Sequence, residues 1–238
     1  MENTKIVVVT GGAQGIGRAI CEAFSAQGAA VCIIDVLANS YFVGDIADED
    51  TLKAFSAKVL AEHGGVDYLI NNACLSRGGL KTCSYEDFNY ILRVGVSAPF
   101  LLSQLFMAHF KPGASIVNIS STRHLMSQAD TESYTAAKGG ITALTHAMAV
   151  TLAGRARVNC ISPGWIDTTG SEFSGADPSQ HPAGRVGVPQ DIVNAVLFLC
   201  DPNNSFITGQ NLTVDGGMSK LMVYHNDCGW FYQGEAGN

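Results

Sequence analysis

Short apolar stretches rich in Val and Ile alternate along the chain with longer segments of helical periodicity. The most regular stretches are apolar throughout rather than alternating, which indicates strands buried on both faces, as in a parallel sheet. Seven segments are predicted as strands: Lys5–Thr10, Ala30–Asp35, Tyr41–Gly44, Val66–Asn71, Ala114–Ser120, Arg157–Ser162 and Gln210–Val214. The helical segments between them are residues 15–27, 48–62, 84–110, 131–153 and 189–200. This alternation predicts a single α/β domain with a doubly wound parallel sheet.

The longest irregular stretch covers residues 167–187 and is rich in Gly, Ser, Pro and Asp. A long loop near the carboxyl edge of a sheet is often a substrate lid, and the alternative is a solvated connection. No repeat or linker divides the chain, so residues 1–220 are predicted to form the domain. Residues 221–238 form a tail containing Trp230-Phe231-Tyr232. Because this tail is too apolar for a solvated end, we expect it to dock on the same fold or on a neighbouring subunit.

The composition excludes several classes of partner. Apolar residues make up 47% of the 238 residues and charged residues 15%, which excludes a disordered chain. The net charge is −7 and Lys and Arg form no cluster, so we expect neither nucleic acid nor a membrane surface as a partner. The apolar runs are far shorter than the ~20 residues of a membrane span.

The cysteines indicate a reducing compartment. There are seven, an odd number, and no two form a C-x-x-C pair, which is typical of unpaired thiols inside cells. No basic segment followed by a longer apolar one stands at the amino terminus, so we predict no signal peptide and a cytoplasmic location. The scattered His and Cys residues, including His225 and Cys228, suggest no closed four-ligand set, and no metal is expected.

A glycine-rich turn follows the first predicted strand and opens the first predicted helix. It reads Thr10-Gly11-Gly12-Ala13-Gln14-Gly15-Ile16-Gly17, with the spacing G-x-x-x-G-x-G. Such a turn lets backbone N–H groups reach a pyrophosphate, and the helix N-terminus adds partial positive charge.

Asp35 ends the second predicted strand, and no Arg or Lys occurs in the next four residues. An acid at this place accepts hydrogen bonds from the ribose hydroxyls of an adenosine and repels a 2′-phosphate. The alternative is a simple strand-end turn residue. Beside the glycine turn, the favoured prediction is an NAD cofactor.

Tyr134 and Lys138 lie four residues apart in a predicted helix and therefore share one face. A nearby ammonium lowers the pKa of a phenol from about 10, toward the range that a general acid or base needs. Ser121 follows a predicted strand and is placed to donate a hydrogen bond to a substrate oxygen. A lone Y-x-x-x-K pair is a weak signal, but its combination with the glycine turn and the strand-end acid, in this order, indicates dehydrogenase chemistry.

With these motifs the sequence resembles the short-chain dehydrogenase/reductase family from Thr10 to about Met218. Beyond the glycine turn and Ser121, Tyr134 and Lys138, the resemblance is carried by Asp45-Ile46, Asn71-Asn72-Ala73-Cys74, Pro163-Gly164-Trp165-Ile166-Asp167-Thr168, Gly184-Arg185-Val186-Gly187-Val188-Pro189 and Asp215-Gly216-Gly217. The resemblance implies a Rossmann fold with a seven-stranded sheet, and reversible hydride transfer between a nicotinamide cofactor and a carbonyl/alcohol pair. It also implies a homo-oligomer, either a dimer or a homotetramer.

The resemblance further implies roles for single residues. Tyr134 exchanges a proton with the substrate oxygen, Lys138 lowers the phenol pKa and holds the nicotinamide ribose, and Ser121 polarises the carbonyl. The main chain of Ile166 and the Thr168 hydroxyl are expected to orient the carboxamide. The implied cofactor contacts are Gly11, Gln14, Gly15, Ile16, Gly17, Asp35, Asp45, Ile46, Asn72, Ala73, Tyr134, Lys138, Pro163, Gly164, Ile166 and Thr168.

Three features depart from the family pattern. Cys74 replaces a Gly, and the segment after Asp35 is too short for the usual helix before the third strand. Gly95 stands where the family has an Asn, whose main-chain carbonyl lies at a helix kink and holds a water in a proton relay to the active-site Lys. Because glycine takes a kinked backbone easily and Pro99 lacks an N–H, we predict the kink here, with the Gly95 carbonyl in the same role.

Three functions stay open from the sequence. The first is an NAD-dependent dehydrogenase of a secondary alcohol or ketone, whether a hydroxysteroid, a polyol or sugar, or a hydroxy acid. Apolar walls from Leu125, Met126, Trp165 and Phe173 favour an apolar substrate, whereas Arg77 and Arg123 favour a polar or anionic one. The two arginines and His124 follow strand ends, where the alternative to the pocket is the surface. The second is a 3-oxoacyl reductase, although the strand-end acid argues against the NADPH usually used there. The third is a catalytically silent NAD-binding sensor.

Overall fold

The strands form one parallel sheet. The computed structural model, which describes residues 4–231, contains β1 (Ile6–Thr10), β2 (Ala30–Asp35), β3 (Phe42–Val43), β4 (Val66–Asn71), β5 (Phe110–Ile119), β6 (Ala156–Pro163) and β7 (Asn211–Val214). Their order across the sheet is β3-β2-β1-β4-β5-β6-β7, and each neighbouring pair is parallel. The predicted doubly wound, seven-stranded α/β fold is confirmed.

Helices cover both faces of this sheet. They are α1 (Gly15–Ala26), α2 (Glu49–His63), α3 (Tyr85–Leu92), α4 (Ala98–Phe106), α5 (Glu132–Thr151), α6 (Ala176–Ser179) and α7 (Pro189–Cys200). One core lies beneath α1 and α7 and buries Ile20, Phe24 and Ile192. The other lies beneath α2 and α4 and buries Phe55 and Phe106. Because both faces are covered, β1 and β4 are buried along their whole length, and the buried amides of Asn71 in β4 and Asn118 in β5 bond to each other.

The prediction of one helix over residues 84–110 is wrong. That stretch contains α3, a π-helical segment at Arg93–Ser97, and α4, and β5 already begins at Phe110 rather than Ala114. The three helical pieces run end to end, so the apolar periodicity continues across their junctions. Val66 of β4 pairs with Phe110 through an irregular register, which draws a Lys-Pro-Gly sequence typical of loops into the strand. The other predicted boundaries agree within two residues.

The carboxyl ends of the strands collect the candidate site residues at one edge of the sheet. β2 and β3 lie on one side of β1, and β4 to β7 lie on the other. The winding therefore reverses at β1, and in open α/β sheets the ligand crevice lies at such a switch point. The glycine turn follows β1, and Asp35 is the last residue of β2. Asn72 follows β4, Ser121 follows β5 and Gly164 follows β6.

The longest connecting segment of the described chain lies between β6 and α7, and residues 72–84 and 120–131 form the next longest ones. Residues 36–41 join β2 to β3 without a helix, as predicted. Residues 167–187 include only the four-residue α6 as a helix, and Ile166 forms a bridge with Gly187 that closes the base of this loop. Within residues 4–231, no helix combines the length and the apolar character that crossing a bilayer requires.

Candidate active site

The glycine turn after β1 adopts a conformation that requires its glycines. Gly11 has a φ of +68°, in the left-handed region, and a Cβ at Gly17 would lie only 2.0 Å from the Gly11 carbonyl oxygen. Gln14 precedes α1 without a side-chain hydrogen bond to its first turn, and that turn carries no acidic residue. The first turn of α1 therefore brings no carboxylate of its own to the positive end of the helix, and this cradle fits the pyrophosphate of a dinucleotide.

The loop after β4 is fastened to the glycine turn. The Asn72 side-chain amide donates to the carbonyls of Thr10 and Gly11, both at 3.0 Å. In return, the Thr10 hydroxyl accepts from the backbone N–H groups of Asn72 and Ala73 at 3.0 and 3.1 Å. These bonds hold two walls of the crevice in a fixed relation. The Asn72 side chain thus supports the glycine turn by binding the main-chain carbonyls of that turn.

Two carboxylates are held at the far end of the crevice. Asp35 is 8% exposed, and its two oxygens accept from the N–H groups of Ala13 and Leu37 at 3.0 and 2.9 Å. Asp45 accepts from its own loop at the Ala47 N–H and from the Tyr90 hydroxyl at 2.9 Å. Burial and the Asp45 carboxylate raise the pKa of Tyr90, so this hydroxyl stays a donor at neutral pH.

A cavity of about 640 Å³ opens between these elements, a size typical of small-molecule sites. It is lined by Gly11, Gln14, Gly15, Ile16, Gly17, Ile34, Asp35, Val36, Gly44, Asp45, Ile46, Asn72, Ala73, Cys74, Leu75, Tyr90, Val94, Thr168 and Thr169. The sequence-predicted contacts Tyr134, Lys138, Pro163, Gly164 and Ile166 are not among the lining residues. Of the described residues that line this cavity, none is Lys or Arg.

The predicted catalytic residues meet at the end of β5. Lys138 on α5 is 4% exposed, and its Nζ donates to the carbonyl of Ile119, the last residue of β5, at 2.7 Å. The same Nζ lies 5.3 Å from the centre of the Tyr134 ring. Ser121 is buried two residues after Ile119, and its hydroxyl accepts from the Arg123 N–H at 3.2 Å. One strand end thus carries the serine and anchors the lysine, whose ammonium lies beside the tyrosine.

The helix α5 is held close to the π-helical segment. Gly95, in the middle of that segment, is buried, and a Cβ there would lie 2.9 Å from the Ala137 Cβ. Ala137 stands directly before Lys138 on α5. The predicted backbone distortion at Gly95 is therefore present, and the missing side chain allows the close approach of the helix that carries Tyr134 and Lys138.

The segment after β6 places Thr168 opposite the glycine turn. The Gly164 N–H donates to the Val214 carbonyl at 3.0 Å, and a Cβ at Gly164 would lie 2.6 Å from the Asp215 Cβ. Because Gly164 has no side chain, the segment after β6 can pass this close to the end of β7. Thr168 then lines the cavity, with its Cγ2 methyl 3.5 Å from the position of a Cβ on Gly15.

Comparison with known proteins decides the family. Residues 11–219 match the family model described as enoyl-(acyl carrier protein) reductase. An uncharacterised oxidoreductase of Thermotoga maritima is 38% identical, with 92% of this chain and 98% of that protein covered. The chain belongs to the short-chain dehydrogenase/reductase family. Members of this family are oxidoreductases that bind a nicotinamide cofactor.

Two further similarities place the chain within this family. The 3-oxoacyl-[acyl-carrier-protein] reductase of Thermotoga maritima is 30% identical, with 90% of this chain and 97% of that protein covered. The structure of an apo SCOR enzyme from Clostridium thermocellum is 46% identical and covers 97% of this chain and 99% of that one, with a TM-score of 0.90. The likeness therefore spans the whole short-chain dehydrogenase/reductase fold.

Some residues at the site were not predicted from the sequence. Tyr90 lines the cavity and fixes Asp45, and Thr169 and Leu75 also line it. Tyr90 carries no local motif, because it reaches the site through a contact with a distant segment. His124, a pocket candidate from its position after a strand end, contacts the main chain of Ser121. Arg77 and Arg123, for which the sequence leaves pocket and surface placement open, contact Asp87 and Gln128.

Proposed function

We propose that the protein is an NAD(H)-dependent oxidoreductase that interconverts a secondary alcohol and the corresponding ketone. One observation carries this proposal: Ser121, the Lys138 ammonium and the Tyr134 ring converge on the end of β5, at the same sheet edge as the glycine turn. A proton donor, a cation and a second hydroxyl in one place supply what a carbonyl needs when it becomes an alkoxide.

The carboxylates in the cavity support NAD(H) rather than NADP(H). Asp35 lies at the end of β2, where the ribose hydroxyls of an adenosine are expected, and each of its oxygens keeps room for a further hydrogen bond. A 2′-phosphate at this place would face a buried carboxylate, and no cationic side chain among the described lining residues would offset the repulsion.

Each side chain of the proposed site has its own role in the reaction. A bound nicotinamide supplies the hydride for reduction and accepts it for oxidation. Tyr134 moves the proton at the substrate oxygen, and Ser121 donates a hydrogen bond to the same oxygen. Lys138 is held by the Ile119 carbonyl, which keeps its ammonium beside the Tyr134 ring. The Thr168 hydroxyl and the Ile166 main chain orient the carboxamide.

The surroundings of the site favour an apolar or ring-shaped substrate. Leu125, Met126 and Trp165 are exposed just after the strand ends that carry the site, and Trp165 packs edge-on against Phe173 with 5.1 Å between ring centres. Arg77 and Arg123, which would favour an anionic substrate, are already engaged with Asp87 and Gln128. Hydroxysteroids and cyclic or aliphatic secondary alcohols are therefore the first compounds to test.

The test is a screen of secondary alcohols with NAD and of ketones with NADH, followed by the absorbance of the reduced nicotinamide. Tyr134→Phe is the matched control, since it removes one oxygen from the site. We expect turnover that requires the tyrosine hydroxyl. A protein that binds NADH but converts none of the compounds would support the silent-sensor alternative.

Reduction of a 3-oxoacyl thioester is the second candidate function, because a 3-oxoacyl reductase is among the relatives of the chain. It is distinguished by substrate and cofactor together. An acetoacetyl thioester reduced faster with NADPH than any ketone with NADH would favour this alternative over the proposed one.

A further inference from the structure

His124 contacts the main chain of the serine at the active site. Ser121 precedes a 3₁₀ turn at Thr122–His124, and its carbonyl oxygen lies 2.7 Å from His124 Nδ1 and accepts from the His124 N–H at 3.1 Å. A carbonyl oxygen has no proton to give, and the Ser162 hydroxyl, 3.3 Å from the same nitrogen, donates its proton to Asn211 Oδ1 instead. Nδ1 therefore carries the proton and donates to the carbonyl. In the neutral ring, Nε2 is then the acceptor.

The other ring nitrogen is held by the last two strands of the sheet. Asn211, the first residue of β7, donates from Nδ2 to His124 Nε2 at 3.0 Å. Its Oδ1 accepts from the hydroxyl of Ser162, a fully buried residue of β6, at 2.8 Å. A continuous path of hydrogen bonds, Ser162 to Asn211 to His124 to the Ser121 carbonyl, thus joins two strands to the serine. We call it the His124 chain.

Ser121 has need of such a support. The parallel ladder of β5 with β6 ends at Ile119 paired with Ile161, and the Ser120 N–H makes the next bond to the Ile161 carbonyl. Ser121 itself lies beyond the ladder, where its hydroxyl has only one described contact, the 3.2 Å bond from the Arg123 N–H. A donor group must be held within about 0.5 Å to act on a developing charge.

We propose that His124 is a positioning residue for catalysis: as the neutral Nδ1–H tautomer it fixes the Ser121 peptide and thereby aims the Ser121 hydroxyl at the substrate oxygen. This inference rests on the proposed function, because it assigns Ser121 to the carbonyl. The inference goes beyond the proposed function because it gives a role to His124, Asn211 and Ser162. The competing explanation is that His124 only packs over the β6–β7 edge.

Three substitutions separate these explanations. His124→Asn places an amide donor where Nδ1 stands, His124→Gln places one nearer to Nε2, and His124→Phe removes both. One hydrogen bond contributes about 0.5–1.5 kcal/mol, or roughly two- to twelvefold in rate. We therefore expect His124→Phe and His124→Gln to lower kcat by that factor with an unchanged Kd for NADH, and His124→Asn to restore most of it.

A double-mutant cycle with Ser121→Ala shows whether the effect passes through the serine. If it does, His124→Phe causes no further loss once the hydroxyl is absent. Equal losses in both backgrounds would overturn the proposal, and so would full activity of His124→Gln. Melting temperatures of all variants are measured alongside, and should His124→Phe fail to fold, the Asn and Gln variants alone carry the comparison.

A spectrum of the cofactor-free protein tests the geometry without turnover. In a side-chain ¹⁵N–¹H correlation of histidine-labelled protein, His124, assigned by its loss in His124→Asn, should show a proton on Nδ1 and none on Nε2. A proton on Nε2 alone would overturn the proposal. An inert wild-type protein with the expected tautomer would instead count against the proposed function.

Discussion

Tyr134 is the residue on which the chemistry depends most directly. It shares a face of α5 with Lys138, whose ammonium lies 5.3 Å from the ring centre. Replacing it with Phe keeps the ring and removes the only group proposed to exchange a proton with the substrate. We expect Tyr134→Phe to lower kcat by roughly 10²–10⁴-fold, the usual contribution of a positioned acid or base, with an unchanged Kd for NADH. A loss of less than threefold in steady-state kinetics would contradict this role.

Gly95 has no side chain, and this lets α5 pack closely against the π-helical segment. A side chain at this buried position meets the Ala137 Cβ at 2.9 Å, so Gly95→Ala should lower the free energy of unfolding by about 1–3 kcal/mol through overpacking. The control is Gly139→Ala, since Gly139 lies on α5 with open space around its Cβ position and Ala favours a helix over Gly by up to about 1 kcal/mol. Urea unfolding measures both. Equal stability of the Gly95→Ala and wild-type proteins would show that the two segments separate at no cost.

At the scale of elements, Asp191 ties the start of α7 to the loop before it. Its carboxylate accepts from both terminal nitrogens of Arg185 at 2.7 Å and from the Val188 N–H at 2.8 Å. The Arg185 guanidinium holds the pKa of Asp191 below its usual range. Because the folded-state pKa is lowered, the stabilisation is complete above the unfolded-state pKa of about 3.9 and is lost as the pH falls through the folded-state value.

Asp191→Asn keeps an oxygen that can accept from the Val188 N–H but removes the charge that pairs with Arg185, so it should destabilise the protein by about 1 kcal/mol at pH 7, as expected for a partly exposed ion pair. The difference from wild type should shrink below about pH 4 as the wild-type carboxylate becomes protonated. Asp50→Asn, at an exposed acid in the first turn of α2, is the control and should change stability by less than about 0.5 kcal/mol. A gap that stays constant from pH 7 to pH 3 would rule out the carboxylate as its cause.

The elements also show where sequence reasoning succeeds. β1, β2 and β4 are predictable because strands inside a parallel sheet are near-continuous apolar runs, interrupted within β4 by Asp67. The break of residues 84–110 into two helices and a π-helical segment is not, because Gly95 permits the distortion but only the approach of α5 requires it. The start of β5 at Phe110 depends likewise on pairing with Val66, a contact that leaves no local pattern.

In the candidate site, too, some residues are predictable from local sequence and others depend on long-range contacts. The glycine turn, Asp35 and the Ser121, Tyr134 and Lys138 set are motif residues, and a motif records what the main chain and the chemistry demand at fixed spacing. Tyr90 reaches Asp45 from 45 residues away and Asn211 reaches His124 from 87. Such long-range partners become visible only once the sheet brings its strand ends together.

At the scale of the whole molecule, the tail exposes several large apolar side chains in a short stretch. From Leu221 onward, Met222, Tyr224 and Phe231 are exposed, and the turn around Asp227 is held by bonds to Tyr224 and Trp230. Tyr232 lies outside the described residues. Docking on a pocket rim or a neighbouring subunit stays a prediction, as does the homo-oligomer itself.

Truncation after Ser219 should accordingly change the KM for the substrate or the oligomeric state, because docked aromatic side chains bury large apolar areas. Steady-state kinetics and sedimentation velocity measure the two effects. A truncated protein with wild-type kinetics and wild-type mass would remove any role for the tail.

The most direct test of the account is a pair of titrations, in which NADH and NADPH are added to the wild-type protein and binding is followed by the fluorescence of the reduced nicotinamide. A hydrogen bond to a charged group contributes about 1.5–3 kcal/mol, so the account predicts at least about a tenfold lower Kd for NADH than for NADPH. Asp35→Asn, which keeps the shape and removes the charge, should narrow that ratio. Equal dissociation constants for the two cofactors in the wild-type protein would contradict the assignment of Asp35 and with it the proposed NAD(H) dependence.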